Sequence, residues 1–261
     1  MSALDTQQHS EALPLTTYFE GSDASGKDTL ADVAISTRAR LGNISCTKSG
    51  AFFLPDTHEN YEAWRRAELV PDPIPAVLLT ATVRDVALSH FRKDQLPDLQ
   101  ASHFGIRSAA FQQASPNAEE RDLYEHFDRA AQMLPGNCVP IGLETEISEL
   151  QRRVEANPNS GYFDYMVCRE PERIRRLTDF INEKCIRAGG FVVETTNRMP
   201  EEIIAEVEEQ MSRYKGPVNH LDPADVIAES RAILEDFRGK PLYRGIEPAV
   251  DHVLAEFDEL S

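Results

Sequence analysis

The feature that most constrains this chain is a glycine-containing run, Gly21-Ser22-Asp23-Ala24-Ser25-Gly26, followed by Lys27. Residues 15–20 before it are β-prone and predict a buried strand. Residues 27–41 after it have helical apolar spacing and predict a helix that ends at Gly42. In such a turn, successive backbone N–H groups point at one centre beside the positive end of a helix. The order strand, glycine loop (residues 21–26), helix therefore predicts a phosphate-binding loop.

The residues around this loop have separate predicted roles. We expect Lys27 to reach the β and γ oxygens of a nucleoside triphosphate, and the loop to bind the cofactor through Gly21, Ser22, Ala24, Ser25 and Gly26. The usual motif has Ser or Thr directly after the lysine, whereas this chain has Asp28 and then Thr29. Hard oxygen ligands suit Mg²⁺, so Asp28 and Thr29 are the candidate metal ligands. The alternative is that the loop is an ordinary glycine-rich surface turn.

Strand and helix patterns alternate over most of the chain. Strands are predicted at 15–20, 51–54, 99–104, 138–143 and 190–195. Helices are predicted at 27–41, 59–69, 76–95, 106–114, 119–134, 146–156, 172–188, 201–214, 223–237 and 247–260. This alternation predicts an α/β fold, a three-layer sandwich with a parallel sheet. The predicted phosphate-binding loop makes the expected fold one of the P-loop NTPase type. We expect a flexible tail at 1–14, one domain at 15–214, and a helical C-terminal extension at 215–261.

Composition narrows the possible partners and the compartment. The formal net charge of −17 over 261 residues argues against nucleic acid or an anionic membrane as a partner. The four cysteines stand far apart without a C-x-x-C pair, which indicates reduced thiols and neither a disulfide framework nor a zinc site. Since no run of about 18 apolar residues occurs, we expect no membrane span and a cytoplasmic protein.

Five segments in order resemble the thymidylate kinases, and together they cover about residues 15–212. Residues 19–27 closely resemble that family's F-E-G-x-D-G-x-G-K opening, and 78–84 (LLTATVR) resemble its L-L-F-x-A-x-R helix. Residues 102–112 resemble D-R-Y-x-x-S-x-x-A-Y-Q, 146–164 resemble the lid, and 191–197 resemble the last strand and its loop. The resemblance implies a nucleoside-monophosphate kinase with a lid at about 152–170, which uses ATP and Mg²⁺ and phosphorylates a small nucleotide. It also implies a possible homodimer.

The resemblance also implies roles for individual residues. Catalysis would involve Lys27, Asp23, Arg152 and Arg153. The acceptor would be bound by Asp23, Arg84, His103, Ser108 and Gln112, and Asn197 would lie near the adenine of ATP. Some of these assignments have a structural alternative: Asp23 as a turn-stabilising side chain, Arg84 on a solvated helix face, His103 as a structural histidine. For Arg152 and Arg153 the alternative is surface ion pairs with Glu149 and Glu155.

Two departures from the family pattern leave other functions open. Thr80 stands where the family has a phenylalanine that stacks on the base. Ser102-His103 stand where the family has an Asp-Arg pair that orients the metal and the acceptor phosphate. One alternative is therefore a kinase for a different acceptor, such as a nucleoside or another small molecule. The other is a nucleotide-binding protein that has lost turnover.

Overall fold

The structure is a computed structural model of the chain. It describes residues 16–40, 48–49, 52–67, 75–102, 105–106, 108–110, 123–158, 166–214, 221–238, 240 and 245–260. The strands are β1 (Thr16–Glu20), β2 (Lys48–Ser49), β3 (Leu99–Gln100), β4 (Cys138–Glu144) and β5 (Phe191–Glu194). The α-helices are α1 (Lys27–Arg40), α2 (Pro55–Arg66), α3 (Pro75–Ser89), α4 (Tyr124–Gln132), α5 (Ile147–Ala156), α6 (Met166–Arg169), α7 (Pro171–Arg187), α8 (Pro200–Ser212), α9 (Pro223–Arg238) and α10 (Glu247–Leu260). A short 3₁₀ helix spans Lys93–Gln95.

The five strands form one sheet in the order β2-β3-β1-β4-β5. Every strand pair in it is parallel. The central strand β1 runs along β4 from the Thr16–Cys138 pair to the Glu20–Gly142 pair. Parallel neighbours need crossover connections, and helices supply them here. The predicted α/β fold with a parallel sheet is therefore confirmed.

Helices cover both faces of this sheet. Tyr18 and Phe19 alternate along β1, and both side chains are fully buried, in different apolar clusters. The cluster around Phe19 includes residues of α1 and α8. The cluster around Tyr18 includes residues of α2, α3, α4, α7, α9 and α10. A sheet buried on both faces is compatible with the predicted three-layer sandwich.

The second strand differs from its prediction. Residues 51–54 were expected to form it, but β2 lies at Lys48–Ser49, and residues 52–54 form a bend. The carboxylate of Asp85 accepts hydrogen bonds from the backbone N–H groups of Phe53 at 2.7 Å and Leu54 at 2.9 Å. These donors are thus used by a buried side chain instead of a strand ladder. Pro55 then begins α2, where proline is favoured because the first helical residue needs no N–H bond.

The two C-terminal helices belong to the main core. They were predicted to form an extension at 215–261. In the structure, Phe237 of α9 and Phe257 of α10 are fully buried in the cluster that contains Tyr18 of β1. Much of the apolar surface of α3 therefore lies against chain that comes after the predicted domain. Among the helices within the described ranges, none has both the length and the apolar character required to cross a bilayer.

The strand connections mark one edge of the sheet for ligand binding. The chain leaves β1 toward β2 on one side and leaves β4 toward β5 on the other, so the direction of connection reverses between the neighbours β1 and β4. In open parallel sheets, ligands bind at such a reversal, beyond the carboxyl ends of the strands. The segments there are the glycine loop after β1, residues 101–102 after β3, and the turns after β4 and β5.

Candidate phosphate site

The glycine loop lies between β1 and α1, as predicted. Two of its residues have positive φ, Ala24 at 62° and Gly26 at 94°. The Ser25 amide donates to the Ser22 carbonyl at 3.3 Å, which closes the bend. Residues that alternate between right- and left-handed conformations turn consecutive N–H groups toward one concave side, and such concavities bind anions. The local backbone is therefore suited to phosphate.

Lys27 places its ammonium group inside this bend. Nζ donates to the carbonyl oxygens of Gly21 at 3.1 Å and Ser22 at 2.7 Å. The residue is only 8% exposed although it is the first residue of α1. A buried lysine side chain that folds back on the preceding loop is unlike an ordinary surface lysine. The loop thus contains a fixed positive charge next to the N-terminus of a helix.

Gly21 and Ser25 show how tightly the loop is packed. A Cβ atom on Gly21 would lie 2.7 Å from Ser25 Oγ and 3.1 Å from Leu143 Cβ of β4, so a larger residue would require the Ser25 side chain to rotate and Leu143 to shift slightly. Ser25 is buried, and within the described part of the chain its Oγ has no hydrogen-bond partner. Since buried hydroxyl groups normally have a partner, this one is suited to a ligand atom.

The structure separates the two arginines predicted for the lid. Arg153 of α5 donates from Nη1 to Ser25 O at 3.1 Å and from Nη2 to Thr195 O at 2.9 Å. It therefore connects the glycine loop to the turn after β5. Arg152 is 67% exposed and bonds Glu149 through Nε and Nη2 at 2.7 and 2.8 Å. Arg153 lies at the site, whereas Arg152 faces solvent beside it.

Glu149 is shared between these two arginines. Arg152 and, to a lesser degree, Arg153 lower the pKa of Glu149 from an ordinary 4.5 to about 2, mainly through hydrogen bonds to the carboxylate. Arg153 contributes one of these bonds, from its Nε to Glu149 Oε1 at 2.8 Å. Glu149 remains ionised at neutral pH and fixes the direction in which Arg153 reaches the loop.

The turns after β4 and β5 are joined beside the loop. The hydroxyl groups of Thr145 and Thr195 lie 2.6 Å apart, and the Thr195 amide donates to Glu144 O at 2.8 Å. Asn197 is exposed and has a positive φ of 54°. It lies two residues beyond the Thr195 carbonyl that Arg153 binds. The structure thus places Asn197 in the turn that contacts the loop through Arg153.

A buried carboxylate that the sequence reasoning missed lies at the same edge. Glu20 is the last residue of β1 and is 0% exposed. The hydroxyl group of Ser102, which follows β3, donates to Glu20 Oε2 at 3.1 Å. The available signal was an acidic residue ending an otherwise non-acidic strand directly before the glycine loop. Burying a carboxylate costs free energy unless it is hydrogen-bonded or paired with a charge, so the bond from Ser102 offsets part of this cost.

The remaining predicted cofactor residues form the start of α1 and the outer part of the loop. Asp23 is half-buried, and Asp28 and Thr29 are exposed in the first turn of the helix. No group of three or more His, Cys, Asp or Glu residues that suits a metal occurs within the described ranges. Mg²⁺ in nucleotide sites uses one or two protein ligands and takes the rest from phosphates and water. The exposed oxygens of Asp28 and Thr29 fit that limited requirement.

Arg84, predicted to contact the acceptor, lies in a buried ion-pair network. It is 1% exposed, and Nε and Nη2 each donate to the Glu256 carboxylate of α10 at 2.6 Å. Nη2 also donates to Asp56 at 2.9 Å, and Nη1 donates to Thr57 at 2.7 Å. Burial lowers the pKa of Arg84, but the two carboxylates outweigh burial and raise it above its ordinary value. Arg84 is thus not on a solvated face, and its guanidinium is engaged by protein groups.

The other predicted acceptor residues are described only in part. Ser108 is buried in a helical segment after β3. His103 and Gln112 lie outside the described residues, as do residues 159–165 of the predicted lid. The structure therefore places Lys27 and Arg153 at the glycine loop, whereas Arg84 binds carboxylates of α2 and α10. The roles of His103 and Gln112 stay predictions.

Comparing this chain with protein-family models and with curated proteins finds no match.

Proposed function

We propose that this chain is an ATP-dependent phosphotransferase of the P-loop type, a nucleoside-monophosphate kinase similar to the thymidylate kinases. The observation that carries the proposal is the Lys27 ammonium group, buried inside a glycine loop between a buried strand and a helix. The loop lies where the connections of the sheet reverse direction, the usual place for a ligand in this class of fold.

The contacts of Lys27 are suited to exchange for phosphate. Its two loop acceptors are neutral carbonyl oxygens. An anionic phosphate oxygen is a stronger acceptor, since charge-assisted hydrogen bonds are roughly twice as strong as neutral ones. A triphosphate would therefore draw the ammonium group toward itself, while the loop amides and Ser25 Oγ bind its oxygens. Arg153, already on the loop, adds a second positive charge.

Charge neutralisation is the main requirement of phosphoryl transfer, which needs little covalent help from the protein. Asp28 and Thr29 would hold Mg²⁺, which supplies neutralisation of the β and γ phosphates when bound. Asp23 would face the acceptor, and the exposed Arg152 would close over the site from the lid. Asn197 would lie near the adenine, with Arg84, His103, Ser108 and Gln112 on the acceptor side.

The first test is binding of ATP by calorimetry in the presence of Mg²⁺. We expect saturable binding by the wild-type protein and an affinity about 10- to 100-fold lower for Lys27→Ala, because the variant loses charge-assisted bonds to phosphate. Lys93→Ala removes the same charge from the short 3₁₀ helix and should bind as the wild type does. Equal ATP affinity in the Lys27 and Lys93 variants would disprove the assignment of the donor site.

A kinase for a different acceptor is the second candidate, and the Arg84 network favours it. The arginine that the family uses for the thymine base is bound here by Glu256 and Asp56. A coupled assay of ADP release over nucleoside monophosphates and nucleosides separates the candidates. Turnover with dTMP supports the first, and turnover with other acceptors only supports the second. ATP binding without turnover on any acceptor would identify a nucleotide-binding protein that has lost catalysis.

A further inference from the structure

A second cleft lies at the carboxyl ends of β4 and β5, on the face of the sheet opposite α1. Leu143 and Val193 point into the cluster around Phe19, which includes residues of α1, so the next residues along each strand, Glu144 and Glu194, point to the other face. There they border a cleft of about 470 Å³, together with residues of α5 and α7. A volume of this size is typical of small-molecule sites. Among the described residues that line the cleft, none has a role in the proposed nucleotide site.

Four carboxylates line this cleft, and within the described part of the chain none of them forms an ion pair. Two belong to Glu144 and Glu194, which are directly paired on adjacent parallel strands. Like charges directly opposite each other in a sheet are destabilising. The other two belong to Glu146 and Asp179. Arg175 also lines the cleft, but it donates to a carboxylate one turn earlier in its own helix. The cleft therefore carries an uncompensated negative charge that a bound cation would neutralise.

A buried hydroxyl group is a separate indication of a ligand in the same cleft. Thr178 of α7 lines it and is 7% exposed. Within the described residues, its Oγ1 has no hydrogen-bond partner. Buried hydroxyl groups normally have one. The Thr178 oxygen is therefore available as a neutral acceptor beside the four carboxylates.

The arrangement of the carboxylates favours an organic cation over a metal ion. In the ranges that the structure describes, no group of three or more acidic, His or Cys side chains suits a metal, and this cleft is included. A ligand with several separated ammonium groups does not need its acceptors to converge on one point, since each ammonium carries its own three donors. Ile147, half-buried in the same lining, offers an apolar surface for methylene groups between the charges.

We propose that this cleft is a binding site for an aliphatic polyamine. One ammonium group binds between Glu144 and Glu194, and another binds Asp179. Thr178 Oγ1 accepts a further N–H bond, and the methylene groups pack against Ile147. The site goes beyond the proposed phosphotransferase activity and does not depend on it.

Calorimetric titration with spermidine tests the site. An ionic strength of about 0.15 M screens the general attraction of a cation to an acidic protein. We expect saturable binding by the wild type and an affinity at least about tenfold lower when Glu144→Gln and Glu194→Gln are combined, because charge-assisted hydrogen bonds are lost. Combining Glu201→Gln with Glu259→Gln removes the same net charge from exposed positions elsewhere and should leave the affinity unchanged.

Thr178→Val is a second variant that does not alter the charge. It replaces the hydroxyl group with a methyl group of similar shape. Because Oγ1 has no partner within the described protein, we expect the midpoint of thermal unfolding to stay the same or rise. The affinity for spermidine should fall by about three- to tenfold, the effect of one lost hydrogen bond. A residue with a purely structural role would not separate these two measurements in this way.

Three results would overturn the inference. The first is no saturable binding of spermidine by the wild type. The second is an equal loss of affinity in the two charge-matched double variants, which would show attraction to net charge alone. The third is binding of a lysine-rich peptide without binding of spermidine, which would identify the cleft as a contact for a basic protein.

Discussion

Glu149 binds both arginines of α5, so its single carboxylate fixes the positions of the two guanidinium groups. Each of its carboxylate oxygens accepts from Arg152, and Oε1 also accepts from Arg153. Glu149→Gln removes the charge that both guanidinium groups share. We expect a loss of about 1 kcal/mol in the free energy of unfolding at neutral pH, a modest value because Arg152 is largely exposed and water screens its charge.

The difference in the free energy of unfolding between wild type and Glu149→Gln should become smaller as the pH falls. The pKa of Glu149 is lowered from 4.5 to about 2 in the folded protein, chiefly by its bonds to Arg152. A lowered folded-state pKa stabilises the protein above the unfolded pKa, and the stabilisation is lost as pH falls through the folded pKa. Denaturant unfolding should therefore show the full difference in the free energy of unfolding above about pH 5, and this difference should disappear toward pH 2. Glu155→Gln, exposed on the same helix, is the control; a gap independent of pH would contradict the prediction.

At the scale of single residues, the sequence indicated which side chains could serve the site but not which groups they would contact. The motif with Lys27 specified a strand, a loop and a helix in that order, and local chain geometry alone brings Nζ back to the loop. The choice between Arg152 and Arg153 could not be made, because neighbours on a helix differ by about 100° in direction and only tertiary packing decides which faces the loop. Glu20 was missed because its partner, Ser102, follows another strand, β3, far along the chain.

At the scale of elements, the turn from α7 into β5 depends on two consecutive glycines. Gly189 has a φ of 84° and ends the helix, and Tyr214 donates its hydroxyl to the Gly189 carbonyl at 2.6 Å. A Cβ atom on Gly190 would lie 1.8 Å from the Pro140 carbonyl oxygen of β4. Only glycine allows β5 to approach β4 this closely as it begins.

Gly190→Ala should therefore move the start of β5 away from β4. We expect the free energy of unfolding to fall by about 2–3 kcal/mol, because the contact is with backbone and cannot be relieved by a side-chain rotation. Thermal or denaturant unfolding measures the loss. Ala188→Ser, two residues earlier and half-buried, should remain within about 0.5 kcal/mol of wild type. Wild-type stability in Gly190→Ala would show that the two strands have more freedom than their spacing indicates.

The elements were predictable where their pattern was local. β1, β4, β5 and the helices that follow them were expected close to where they lie, since apolar periodicity within one segment specifies them. β2 was misplaced because residues 51–54 look like a strand, and Asp85, which takes their N–H groups, lies more than thirty residues along the chain. β3 was expected to reach residue 104, and its observed length is two residues.

On the scale of the whole molecule, one ion-pair network joins distant parts of the chain. Arg84 and Glu256 are 172 residues apart in sequence. Asp56 of α2 binds both Arg84 and Arg92, and these bonds outweigh burial and lower its pKa to about 2. No pattern within the sequence indicated that a helix beyond residue 245 would supply a partner for an arginine in α3. Residues 215–261 were expected to be an extension because they contain no strand pattern, and a strand pattern gives no information on helices that pack against α3.

Glu256→Gln tests how strongly this network fixes α10. The change leaves a buried guanidinium with one carboxylate instead of two, and we expect a loss of about 2 kcal/mol in the free energy of unfolding. Glu259→Gln removes the same charge from an exposed position of α10 and should have little effect. Equal stability of the two variants, measured by denaturant unfolding, would show that apolar packing alone holds the helix.

The burial of Phe257 and Phe237 against the core around β1 has a consequence during synthesis. The glycine loop leaves the ribosome early, but the part of the apolar surface of α3 that packs against α9 and α10 has no cover until those helices have emerged. A nascent chain stopped before residue 245 would expose that surface and be a substrate for chaperones or proteases. The glycine loop should therefore reach its final packing against the sheet only after α10 has emerged.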